Sequence, residues 1–224
     1  MIRILHTSDL HGRYKPLLRR LAEGDYDLWI DTGDFLPNPG RPSQDPVMWS
    51  TGQQRHQRRW MQFKDLAARL AEALDGRPAV MVQGNHDFIP VVGALRHAGV
   101  DAHGISPDAV TTCCGLRFSG FREVSTINGR WVGEVDDDRL WALSDEALSH
   151  GADVLVTHSP PRGVLDGLDC GDHFGAPGLA EAMEGGPRLH LFGHVHEHGG
   201  QQIERGGVVY ANGATQMRIV ELGS

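Results

Sequence analysis

Cysteine is scarce: Cys113, Cys114 and Cys170 are the only three in 224 residues, and none has C-x-x-C spacing. That excludes a disulfide framework and a thiolate metal centre, and leaves reduced thiols. Long apolar runs are missing too, since none approaches the roughly 20 residues of a membrane span. Positive charge is in deficit, with 21 Lys and Arg against 29 Asp and Glu for a net −8. An acidic chain lacks the broad basic footprint that duplex nucleic acid requires. No repeat, low-complexity tract or linker-like shift in composition appears. Residues 1–224 are therefore expected to form a single domain. Met1 leads straight into the apolar run Ile2–Leu5, with no basic n-region, h-region or cleavage site. A soluble cytoplasmic chain is the expectation from that start.

Histidine, by contrast, is plentiful, with 13 residues, several of them beside aspartate or glycine. Short apolar runs bounded by turn residues read as buried strands, and each of five runs into such a segment. Ile2–Leu5 precedes Asp9-Leu10-His11-Gly12, and Leu28–Ile30 precedes Gly33-Asp34. Ala79–Val82 precedes Gly84-Asn85-His86-Asp87, and Val154–Val156 precedes Thr157-His158. Leu189–Phe192 precedes Gly193-His194-Val195-His196. Between them, helices are expected over Pro16–Glu23, Gln53–Leu74, Pro90–Ala98, Asp138–Ser149 and Leu179–Met183. In the second of these, Trp60 and Phe63 are expected in the core. Strand-like stretches at Thr111–Phe121 and Ile203–Val220 suit a second sheet packed on the first. The alternation predicts an α/β fold with right-handed crossovers.

Because ligands bind outside the carboxyl ends of strands in such sheets, five segments would converge on one rim. Asp9 and His11 flank a single residue, as do His194 and His196, so each pair can point the same way. Asp34, Asn85 and His158 complete a mixed nitrogen and oxygen donor set without thiolate. That set suits Mn²⁺, Fe or Zn²⁺. Seven ligands exceed one tetrahedral site and suit two sites sharing a carboxylate. Two divalent ions roughly 3.5–4 Å apart can activate a bridging water as hydroxide.

The ordered set D-x-H, G-D, G-N-H-D, H and G-H-x-H resembles the calcineurin-like metallophosphoesterase superfamily. The resemblance implies a four-layer α/β/β/α sandwich and two divalent ions, manganese favoured. It implies that Asp9, His11, Asp34 and His196 hold one ion, and Asp34, Asn85, His158 and His194 the other. His86 would face the substrate as proton donor or phosphate stabiliser, and Asp87 would orient it and raise its pKa. Thr157–Pro161 and Leu189–Glu197 are similar to a branch of small metallophosphoesterase-domain-containing brain proteins. That branch implies hydrolysis of small phosphodiesters such as cyclic nucleotides. The alternatives are a phosphomonoesterase or nucleotide pyrophosphohydrolase with the same site, and a non-catalytic scaffold of the same fold. The expected partner is a small phosphate ester, with neither duplex nucleic acid nor membrane. Leu36–Arg59, rich in proline and glutamine, follows a site loop and is expected to shape specificity. Its Arg55, His56, Arg58 and Arg59 read as a solvated helix face, with substrate-phosphate contact as the alternative.

Overall fold

A computed structural model describes residues 1–38, 45–179 and 186–223. The first half runs β1 (Ile2–Thr7), α1 (Tyr14–Ala22), β2 (Leu28–Asp31), α2 (Pro46–Phe63), α3 (Leu66–Leu74), β3 (Ala79–Met81), α4 (Val92–His97) and β4 (Ala102–Gly104). Then follow β5 (Thr111–Cys113), β6 (Leu116–Ser119), β7 (Val124–Ser125), β8 (Glu134–Val135), α5 (Asp137–Ser149) and β9 (Val154–Val156). The chain ends with β10 (Leu189–Phe192), a 3-10 turn at His196–His198, β11 (Gln202–Arg205), β12 (Val208–Asn212) and β13 (Met217–Leu222).

Two sheets carry the fold. One has the order β13-β1-β2-β3-β4, the other β11-β12-β10-β9-β6-β5. Their inner strands are parallel, and β13, β11 and β5 close edges in antiparallel fashion. Period-two alternation sends Ile4, Leu28, Ile30 and Val80 inward, against Phe118, Val154, Val156 and Leu191 of the facing sheet. Their neighbours Leu5, Trp29, Ala79 and Met81 point outward, onto Leu17, Leu21, Leu70 and Leu95 of the helices. On the far side, Leu155 and Phe192 meet Leu140, Leu143 and Ala147 of α5. Both faces of the inner strands β2, β3, β9 and β10 are thus covered, which is why they read as unbroken apolar runs. The expected α/β/β/α layering is what forms.

The single helix expected over Gln53–Leu74 is instead two. Asp45 caps α2 by accepting from Val47 N and Met48 N at 2.8 and 3.1 Å. Asp65, in the left-handed region at φ 46°, then separates α2 from α3. The buried stripe of α2 is Trp49, Gln53, Gln57 and Met61, spaced by four. Phe63 lies off that stripe and is 84% exposed, so its assignment to the core is corrected, whereas Trp60 does pack on the core. The helix expected over Leu179–Met183 falls, beyond Leu179, outside the described residues. Among the described residues no helix is long and apolar enough to cross a membrane.

Candidate metal centre

The loops that follow β1, β2, β3, β9 and β10 meet at one rim, as the strand-end argument requires. Asp9 N and His11 N donate to Gly33 O and Asp34 O at 2.8 and 2.9 Å, knitting the first two loops together. Asp9, His11, Asp34 and His194 all have positive φ, at 53°, 43°, 54° and 68°. For residues other than glycine this costs energy, and such strain gathers at functional sites. Gly33 shows why no side chain is tolerated beside Asp34. Its φ is +103°, and a Cβ there would lie 2.7 Å from His158 Nδ1.

Two carboxylates form the centre, and both are buried. Asp9 Oδ2 accepts from Ser8 Oγ at 2.7 Å and His194 N at 2.9 Å, while its Oδ1 lies 3.1 Å from His196 Nε2. His11 Nε2 sits between them, 4.0 Å from Asp9 Oδ1 and 3.9 Å from Asp34 Oδ2. Asp34 Oδ2 is also 3.5 Å from His158 Nε2 and 3.9 Å from His86 Nε2. Three donor clusters result: Asp9, His11 and His196; Asp9, Asp34 and His158; and His11, Asp34 and His86. Asn85 Oδ1 approaches His158 Nε2 at 3.0 Å. His194 joins through its ring, edge-on to His158 with centroids 5.0 Å apart. All seven expected ligands are therefore brought to one place.

The donor set fits divalent ions. His158 Nδ1 donates to Thr32 O at 2.8 Å, so the neutral ring presents its Nε2 lone pair to the cluster. Asn85 Oδ1 and Asp34 Oδ2 point at that same nitrogen, and an acceptor-rich arrangement of this kind requires a proton or a cation at its centre. Among the described residues, Asp9 and Asp34 form ion pairs with histidines alone. Protons take the cation's part in the pKa pattern. Burial pulls His158 down, but the charge and hydrogen bond of Asp34, the Asp9 charge and the Thr32 carbonyl together outweigh it, and the pKa is pushed up to about 9. Burial raises Asp34, yet His158, His86 and His11 together hold it below the usual carboxylate range. His194 is pulled down to about 4 by burial and by the neighbouring His158.

The expected partnership of Asp87 with the His86 ring is not what the structure shows. Asp87 accepts from Gly84 N at 3.0 Å, Leu36 N at 2.8 Å and Phe35 N at 3.3 Å, so it braces two loop backbones. Its carboxylate oxygens are taken up by those backbone amides. Burial, followed by the Asp34 charge, pushes Asp87 up to about 6. His86 Nδ1 is buried without a hydrogen-bond partner, and burial lowers the ring's pKa against the pull of Asp34. The ring is stacked instead on Trp131, with centroids 3.9 Å apart and planes at 22°.

Sequence reasoning missed three supports. Gln57 donates to His86 O at 2.7 Å and accepts from Phe88 N at 2.9 Å. Its signal was a glutamine on the buried stripe of α2. Arg122 donates to Gly84 O and Asp87 O at 2.9 and 3.2 Å, and neither it nor Trp131 lies in any motif. Within Leu36–Arg59, residues 39–44 lie outside the described set. Arg55, His56, Arg58 and Arg59 are exposed, as a solvated helix face requires.

A sequence model of calcineurin-like phosphoesterases matches residues 2–198. UPF0046 protein K07C11.7 of Caenorhabditis elegans is 36% identical over 222 residues, which is 95% of this chain and 69% of that protein. Probable rhamnogalacturonate lyase C of Emericella nidulans is 37% identical over 79 residues, spanning 34% of this chain but only 7% of the other. Among solved structures, GAP50, the anchor in the inner membrane complex of Plasmodium, superposes at a TM-score of 0.46 with 14% identity. That superposition covers 96% of this chain and 71% of GAP50.

Proposed function

The chain belongs to the calcineurin-like phosphoesterase family, and from that premise we propose that it hydrolyses small phosphodiesters, such as cyclic nucleotides, with two manganese ions. The observation that carries this is the buried Asp9 and Asp34 pair, ringed by imidazoles and an amide oxygen. Asp9, His11, Asp34 and His196 would hold one ion, and Asp34, Asn85, His158 and His194 the other. Two bound divalent ions supply Lewis acidity toward phosphoryl oxygens and a more acidic water.

The chain's own residues supply the rest. Asp34 joins the two halves of the site through one carboxylate. Thr32 O fixes the His158 tautomer, and Ser8 fixes the Asp9 carboxylate. His86 directs Nε2 toward the cluster, where it donates a proton to the departing oxygen or steadies the phosphate charge.

The test compares hydrolysis of an aryl phosphodiester with that of the matching monoester after reconstitution with manganese. Faster diester turnover is expected. A strong monoester preference would replace the diester reading with a phosphomonoesterase. Two retained ions with no turnover of either ester would leave the scaffold reading.

A further inference from the structure

We propose that Trp131 is the positioning residue for His86, holding the imidazole by its indole face where a carboxylate was expected. The inference rests on the phosphoesterase reading of this site. The backbone of His86 is already fixed at both ends: its N–H donates to Asp34 Oδ1 at 2.7 Å, and its carbonyl accepts from Gln57 Nε2 at 2.7 Å. What stays free is rotation of the side chain. A hydrogen bond at Nδ1 commonly removes that freedom, but Nδ1 here is buried without a partner.

Packing takes its place. The indole of Trp131 lies parallel to the imidazole at 3.9 Å, and the ring of His11 meets the imidazole edge-on at 5.1 Å. Held between the two, the ring keeps Nε2 toward Asp34 Oδ2. The indole is braced in turn. Trp49 meets it edge-on at 5.4 Å and Phe88 at 6.4 Å. Val132 N donates to Asn85 O at 3.1 Å, tying the Trp131 loop to the residue that precedes His86. The loop itself is closed by Val124 N donating to Gly133 O at 2.9 Å. Apart from that closure, each brace on Trp131 leads back to the segment Asn85–Phe88 or to α2, whose Gln57 holds that segment. An aromatic face fixes the tilt of a ring without consuming either nitrogen. It therefore leaves Nε2 of His86 unencumbered on the side of the cluster.

The experiment uses Trp131→Ala, Trp131→Phe, His86→Ala and the double variant Trp131→Ala/His86→Ala. In zinc-loaded protein, NMR of the His86 ring protons should show an upfield ring-current shift that collapses in Trp131→Ala and is largely kept in Trp131→Phe. In manganese-loaded protein, Trp131→Ala should lower kcat by about 10–100-fold with KM nearly unchanged. The loss should be larger for a diester releasing phenol than for one releasing p-nitrophenol, because the poorer leaving group depends more on proton donation. Trp131→Phe should recover most of it, and in the His86→Ala background removing Trp131 should cost little more. Unchanged ring shifts in Trp131→Ala, additive losses in the double variant, or a change confined to KM would each overturn the proposal. Should the wild-type protein turn over no ester, the phosphoesterase reading fails, while the ring shifts still decide whether Trp131 sets His86.

Discussion

The carboxylate of Asp34 holds the backbone of His86: Oδ1 accepts His86 N–H at 2.7 Å across 52 residues of chain, leaving Oδ2 for the imidazoles of His11, His158 and His86. One oxygen thus organises the loop and the other faces the place a cation would take. Anchoring and charge reside in a single side chain.

Asp34→Ala is therefore expected to retain less than one ion per chain and to lose turnover. His86→Ala should keep two ions while kcat falls about 10²–10⁴-fold. Elemental analysis of the desalted variants beside their kinetics separates the roles, and equal metal loss in both would refute the division.

Ion binding should release a proton. With its pKa at about 9, His158 is protonated at pH 7.5 and must become neutral to ligate. Affinity for the ion it holds should rise by about tenfold per pH unit between 7 and 9. Competition with a chelating dye at pH 7 and pH 8 measures this, and a flat affinity would contradict it.

Acid should weaken the fold through two other histidines. His6 and His190 lie buried, hydrogen-bonded to Thr32 Oγ1 and Thr157 Oγ1 at 3.1 and 2.7 Å. Burial brings both pKa values down to about 3, from an unfolded value of 6.5. Below pH 6.5 the unfolded chain binds protons that the native state refuses. The native state therefore holds its full advantage above pH 6.5 and loses it as the pH falls toward 3, by about 1.4 kcal/mol per unit for each ring. In metal-free protein, His190→Gln should make the urea midpoint less pH-dependent between pH 6.5 and 5. An identical slope in wild type and variant would count against it.

Gly193→Ala should damage the site without replacing a ligand. A Cβ there would collide with the Ser8 side chain and the Asp9 carboxylate. We expect destabilisation of about 1–3 kcal/mol and loss of the ion held by Asp9. Gly52→Ala provides the contrast: it lies in α2 with nothing within 4 Å, and it should leave Tm unchanged or slightly raised. Calorimetry with metal analysis reads both.

The parts legible in the sequence are those fixed by local pattern. Asp9, His11, Asp34, Asn85, His158, His194 and His196 each follow a strand, so their convergence needed only the rule about strand ends. The layering followed from apolar runs between helical patterns. The break at Asp65 was hidden because Leu66, Leu70 and Leu74 carry on a helical rhythm begun by Trp60 and Phe63. The true buried stripe of α2 includes Gln53 and Gln57, whose polarity hid it. Asp87 sits beside His86 in the chain, yet its partners are the backbone amides of Phe35 and Leu36, from a loop far away in sequence. Trp131 and Arg122 act through tertiary contact alone, and no spacing announces them.

Asp9, Asp34 and Asn85 lie at the strand ends of one sheet, and His158, His194 and His196 at those of the other. His158 Nδ1 to Thr32 O and His194 N to Asp9 Oδ2 already cross from plate to plate. An ion pair seated there would act as a rivet, and whatever lets the plates slide would loosen it. Trimming Ile30 or Val156, buried in the seam and not themselves ligands, is thus expected to weaken ion retention. Loading should in turn stiffen the seam against shear, because affinity and layer cohesion are two readings of one equilibrium.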